Sequence, residues 1–131
     1  MIVVLGAYKC GSTSLVNYLK YKYPNQTVKK AEKFFYPDYK LPYGYQDEDI
    51  EWWVIIRKNV DDFYHSWHEF FCFTIGFEEF MKLDNLKNTG YSAKELGDFD
   101  KFINLWKTKI KNIKVVYLED MIKKCKRHQT I

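Results

Sequence analysis

The sequence predicts an α/β fold with a small parallel sheet, and three observations carry that prediction. Short apolar runs alternate with helical patterns from end to end. The first run, Ile2 to Leu5, is apolar at every position, as suits a strand buried on both faces. Beyond it a glycine-framed segment, Gly6 to Gly11, opens directly into a helical pattern in which Leu15, Val16 and Leu19 recur at helical spacing. The 131 residues show no internal repeat and no linker, so a single domain spanning 1–131 with one core is expected.

Each element follows from its own signals. After the strand at Ile2 to Leu5, a first helix is expected over Thr13 to Tyr23, stopped by Pro24, with a short second strand near Gln26 to Lys29. Tyr36 to Asp49, with Pro37, Pro42 and Gly44 among tyrosines, reads as a long loop, a candidate acceptor-binding or lid segment. Trp53 to Ile56 reads as a buried strand ending in Arg57, followed by helices over Val60 to Phe73 and Phe77 to Leu86. Asn88 to Gly97 is turn-rich, with Gly90 and Gly97 as breakers. Asp98 is expected to cap a helix whose Phe99, Phe102, Ile103 and Trp106 form a core stripe. The last strand begins at Ile113 with period two and runs into an acidic helix start at Glu119 and Asp120, which complement the dipole.

The glycine-framed segment reads as a phosphate cradle. Glycines admit a close backbone approach, and the N–H groups at a helix start favour an anion. A Walker A loop places lysine directly after its second glycine, but here Ser12 follows Gly11 and the lysine lies inside the loop, at Lys9. Ser12, Thr13 and Ser14 add hydroxyl donors at the helix start, so a diphosphate-like group fits better than a triphosphate. A plain helix N-cap behind a buried strand is the alternative.

At these residues the chain resembles a known family. Tyr8-Lys9-Cys10-Gly11-Ser12-Thr13-Ser14-Leu15 resembles the 5′-phosphosulfate loop, P-K-[SC]-G-T-[TS]-[ST]-L, of sulfotransferases that use 3′-phosphoadenosine-5′-phosphosulfate (PAPS). Arg57 to Trp67 is similar to the family's 3′-phosphate motif, R-[DN]-P-V-[DE]-R-[AF]-Y-S, with Asn59 at the proline position and Asp62 at the arginine position. Strict register puts His65 where the serine belongs and Ser66 one residue late, so the resemblance implies that either side chain joins Arg57 in holding the 3′-phosphate. Lys30 to Phe35 resembles K-E-x-[HR]-[FY]-F, with Ala31 on the glutamate position and Glu32 one later. Ile113 to Met121 resembles the family's late strand and turn, a structural segment.

The resemblance implies a three-layer α/β/α fold of the P-loop nucleotide-hydrolase type and a metal-independent sulfotransferase. PAPS would be held by Lys9, Cys10, Gly11, Ser12, Thr13, Ser14, Arg57 and Ser66, with 3′-phosphoadenosine-5′-phosphate as product. The catalytic set it implies is Lys9 with Glu32 as proton acceptor, and His65 and His68 are rival bases. The acceptor would be a small molecule, carbohydrate or peptide bearing a hydroxyl or amine. The family's basic glycine-containing loop over the 3′-phosphate has no match. Lys123, Lys124, Lys126 and Arg127 stand as either a short substitute or a charged tail.

Composition narrows the classes further. Aromatics make up 19% of the chain, more than a core alone requires, so some are expected at an acceptor site. A net charge of +4 suits an anionic cofactor and gives no argument for nucleic acid. Three cysteines without paired spacing describe no disulfide framework, and no apolar run is long enough for a membrane span. The expectation is a soluble cytoplasmic protein with neither nucleic-acid nor membrane partner. His65, His68, Glu69 and Cys72 share helical spacing but lack the order of a zinc motif, and Asp47, Glu48, Asp49 and Glu51 read as a solvated run. Two rivals remain: a P-loop kinase or nucleotide hydrolase with a degenerate loop, and a non-catalytic nucleotide-binding relative.

Overall fold

The computed structural model describes residues 1–6, 10–31, 35, 49–71, 74–110 and 112–129, the side chains of 71, 88 and 124–129 excepted. Among them, four strands form one sheet: β1 (Ile2–Gly6), β2 (Val28–Lys30), β3 (Glu51–Ile56) and β4 (Ile113–Tyr117), in the order β2-β1-β3-β4. All neighbours run parallel, with Val4 beside Trp53 and Val54 beside Val115. The expected buried strand is β1, every residue of which is buried.

Alternation along β1 and β3 divides their side chains between two cores. Val3, Leu5, Trp52, Val54 and Ile56 face one side, where α2 (Val60–Phe71), α3 (Phe77–Lys82), α4 (Ala93–Leu96) and α5 (Phe99–Lys107) pack through Phe63, Phe80, Leu96, Phe102 and Trp106. Ile2, Val4 and Ile55 face the other, against α1 (Ser12–Lys22) and α6 (Leu118–Gln129) through Leu15, Val16, Leu19 and Met121. Helices therefore cover both faces of the sheet. Much of the aromatic content is spent in the first core: Phe63 meets Phe99 edge-on at 5.1 Å, and Trp52 stacks on Trp106 at 6.4 Å. Trp106 Nε1 also donates to the Phe35 carbonyl at 2.6 Å, tying the chain beyond β2 to α5.

Some elements differ from the sequence expectation. The helix expected over Phe77 to Leu86 stops at Lys82, where Leu83 turns into extended backbone and its N–H returns to the Phe80 carbonyl at 3.2 Å. The turn-rich stretch holds the short helix α4, started by a capping box in which Ser92 and Glu95 satisfy each other's backbone N–H groups. Asp98 stands at the N-cap of α5 but makes no side-chain cap bond. β3 starts at Glu51, two residues before the expected Trp53, where Glu51 pairs with Lys114 of β4 at 2.6 Å. The stripe of Phe99, Phe102, Ile103 and Trp106 is buried as expected. Tyr36 to Glu48, most of the expected long loop, lies outside the described residues.

The strand order creates a switch point. From β1 the chain passes through α1 to β2 on one side, then crosses to β3 on the other side of β1. In open parallel sheets, ligands bind at the carboxyl ends of the two strands where the order reverses, here Gly6 of β1 and Ile56 of β3.

Candidate functional site

One wall of this edge is the start of α1. Gly11 is its N-cap, in the left-handed region at φ 86°, and a Cβ there would lie 2.6 Å from Leu118 Cδ1. It offers no side chain to the helix's first N–H groups, which by position have no intrahelical acceptor. Among the described α-helices, α1 is the one whose first turn carries no acidic residue; α2 to α6 all carry at least one. Positive charge lies nearby instead: Lys30, at the end of β2, reaches Thr13 Oγ1 with Nζ at 2.7 Å. Ser12 is buried and Thr13 and Ser14 are exposed, while Cys10 is buried in the larger core. The start of α1 thus sets its first helix N–H groups beside a lysine, an arrangement that favours an anion.

The second wall is built around Arg57, the residue that follows β3. Its Nη1 donates to Ser66 Oγ at 2.7 Å and to the Asp62 carbonyl at 3.1 Å, and Ser66 Oγ donates to that same carbonyl at 2.8 Å. Asn59 caps α2, with Oδ1 accepting from the Asp61 and Asp62 N–H groups at 3.0 and 3.3 Å. The helix turn that carries Ser66 is thereby fixed under the guanidinium. Arg57 Nε is buried and finds no acceptor among the described residues, so the fork keeps donor capacity.

Glu119 fixes the turn between Arg57 and α2 from outside it. Its Oε2 accepts the backbone N–H groups of Lys58 at 2.6 Å and Asn59 at 3.1 Å. Lys58 Nζ pairs with Asp120 at 2.7 Å, and that hydrogen bond chiefly raises the lysine above its ordinary value. Beside this turn opens a cleft of about 440 Å³, lined by Arg57, Lys58, Asp98, Phe99, Asp100 and Tyr117 among others. The volume is in the range of small-molecule sites.

The remaining expected site residues fall elsewhere. Lys9 and Glu32 lie outside the described residues, as do Tyr8 and Cys72. Of the two side chains one residue apart, Ser66 is the one bonded to Arg57. The His65 ring lies flat on Phe77 at 4.1 Å between centroids. His68 Nε2 is 2.6 Å from the Ile75 carbonyl, which can only accept, so that nitrogen carries the proton. Both histidines thus join α2 to α3. Among the described residues no three His, Cys, Asp or Glu converge as metal ligands, and no helix is long and apolar enough to cross a membrane. The basic end of the chain continues α6 to Gln129. Sequence reasoning gave Glu119 only a dipole role; its spacing from Lys58, in a different strand turn, carries no local signal.

No family model, curated protein or solved structure matches this chain.

Proposed function

We propose that the protein is a PAPS-dependent sulfotransferase on a reduced P-loop-type fold, acting on a hydroxyl or amine of a small molecule, carbohydrate or peptide. The observation that carries this reading is the Arg57–Ser66 pair across the switch point from the acid-free start of α1. The two anion-competent positions call for a nucleotide charged at both ends of its sugar, and a 3′,5′-substituted adenosine has that pattern. Guanidinium suits the 3′-phosphate because it stays charged and bonds phosphate oxygens in a fork. One feature of the edge fits such a ligand: the buried Arg57 Nε has donor capacity left.

When bound, the donor supplies a sulfuryl group whose bond to the 5′-phosphate oxygen breaks as an acceptor oxygen or nitrogen bonds sulfur. Lys9 and the N–H groups of the α1 start hold the negative charge that grows on the phosphate side, a preorganised electrostatic role. Glu32 takes the proton from the acceptor, a role for which it is preferred over His65 and His68, whose rings are engaged between α2 and α3. Arg57 and Ser66 orient the donor through its 3′-phosphate.

Calorimetric titration with 3′-phosphoadenosine-5′-phosphate, AMP and ATP, with and without magnesium, tests the reading. Magnesium-independent binding that requires the 3′-phosphate and weakens in Arg57→Ala is expected. A preference for ATP with magnesium, or no binding of the bisphosphate, overturns it.

A further inference from the structure

A turn between a strand and a helix has no ladder to supply acceptors for its backbone N–H groups. At the turn after β3 the acceptor comes from far along the chain. Glu119, in the first turn of α6, spans 61 and 60 residues of sequence to accept the N–H groups of Lys58 and Asn59 with one oxygen. Those two residues stand between Arg57 and the cap of α2. Asn59 uses its own side chain to start the helix, and that helix presents the Asp62 carbonyl and Ser66 Oγ to Arg57. The carboxylate, the turn, the cap and the guanidinium thus form one connected set of hydrogen bonds.

We infer that Glu119 is a positioning residue that holds the Arg57 turn in the form that reads a 3′-phosphate. The inference rests on the nucleotide reading above. The neighbouring Lys58–Asp120 pair does not replace it, because both side chains are about half exposed, at 51% and 46%, and such pairs contribute little. Nor does a helix-dipole role account for the geometry. A charge favourable to α6 needs only to stand in its first turn, whereas here the oxygen lies within hydrogen-bond distance of two amides in another element. The other oxygen, Oε1, is buried with no hydrogen-bond partner among the described residues, so only one oxygen serves the turn.

Two conservative variants separate reach from charge. Glu119→Gln loses the charge but keeps an oxygen at the same reach. Glu119→Asp keeps the charge but withdraws the carboxylate by one methylene. Titration of each with 3′-phosphoadenosine-5′-phosphate and with AMP gives the ratio of the two affinities, and amide hydrogen exchange reads Lys58 and Asn59 directly. The expected result in Glu119→Gln is a fall in the ratio smaller than that in Glu119→Asp. In Glu119→Asp the expected fall is about tenfold, confined to the 3′-phosphorylated ligand, with protection lost at those two amides. Asp120→Ala, which removes only the side-chain pair, should keep the wild-type ratio.

A wild-type ratio in Glu119→Asp overturns the inference, as does an equal loss for both ligands, or a loss in Glu119→Gln that matches or exceeds that of the aspartate. If the wild-type protein itself shows no preference for the 3′-phosphorylated ligand, the nucleotide reading falls and takes this inference with it. That failure is visible before any variant is measured.

Discussion

Gly11 is constrained twice. Its φ of 86° suits glycine, and the space a Cβ would need is taken by Leu118 Cδ1 at 2.6 Å. Gly11→Ala is therefore expected to destabilise the protein by about 1–3 kcal/mol, read as a lowered urea midpoint with unchanged slope. An unchanged midpoint would show that the loop relaxes without cost. The need for glycine here was legible in the sequence from its place between a buried strand and a helix start. Its contact with Leu118 was not, because 107 positions separate them and nothing local marks the pair. Arg57 follows the same division. Its place at a strand end was readable, but whether His65 or Ser66 would meet it depended on where α2 starts, which the Asn59 cap decides.

Elements with a continuous apolar signal are legible in the sequence, whereas short helices and element ends are less so. β1 announced itself by four apolar residues in succession, and α5 by a stripe that only a helix would bury on one side. α3 ends at Lys82, where Leu83 is extended, and α4 starts at a capping-box pattern, Ser92 to Glu95, inside a stretch that reads as turns. The early start of β3 comes from its ladder with β1, where Glu51 stands beside Ile2 and its N–H donates to the Met1 carbonyl at 2.9 Å; a side-chain pair to β4 adds to it. Lys114 Nζ lies 2.6 Å from Glu51 Oε1, and this hydrogen bond chiefly holds the carboxyl below its ordinary value of 4.5. A carboxyl lowered in the folded state contributes stability above its unfolded value, and that contribution is lost as pH falls through the folded one. Wild type is thus expected to lose a small advantage over Glu51→Gln on acidification below 4.5, seen as converging urea midpoints. Midpoints that stay parallel would remove the pair from the account of β3. The effect is small because both side chains are largely exposed, at 58% and 40%.

For the whole molecule, the α/β class followed from alternation alone, while the strand order could not, since parallel neighbours are chosen by packing between distant segments. That order, β2-β1-β3-β4, matters most for function because it brings the ends of β1 and β3 together and with them Gly11 and Arg57. Glu119 closes the same edge from β4's side, so three strands contribute to one site. The excess of aromatic residues also finds its main use at this scale, in a core that joins the sheet to α2 through α5.

The proposed ligand, with phosphates at both ends of its sugar, would bridge the starts of α1 and α2. Amide and arginine side-chain shift mapping by NMR, on addition of 3′-phosphoadenosine-5′-phosphate, tests it most directly. The largest shifts are expected at Gly11 to Ser14 and at Arg57 Nε–H, with the Arg57 shift absent when AMP is added. Shifts confined to other parts of the surface, or an Arg57 response identical for both ligands, would contradict it.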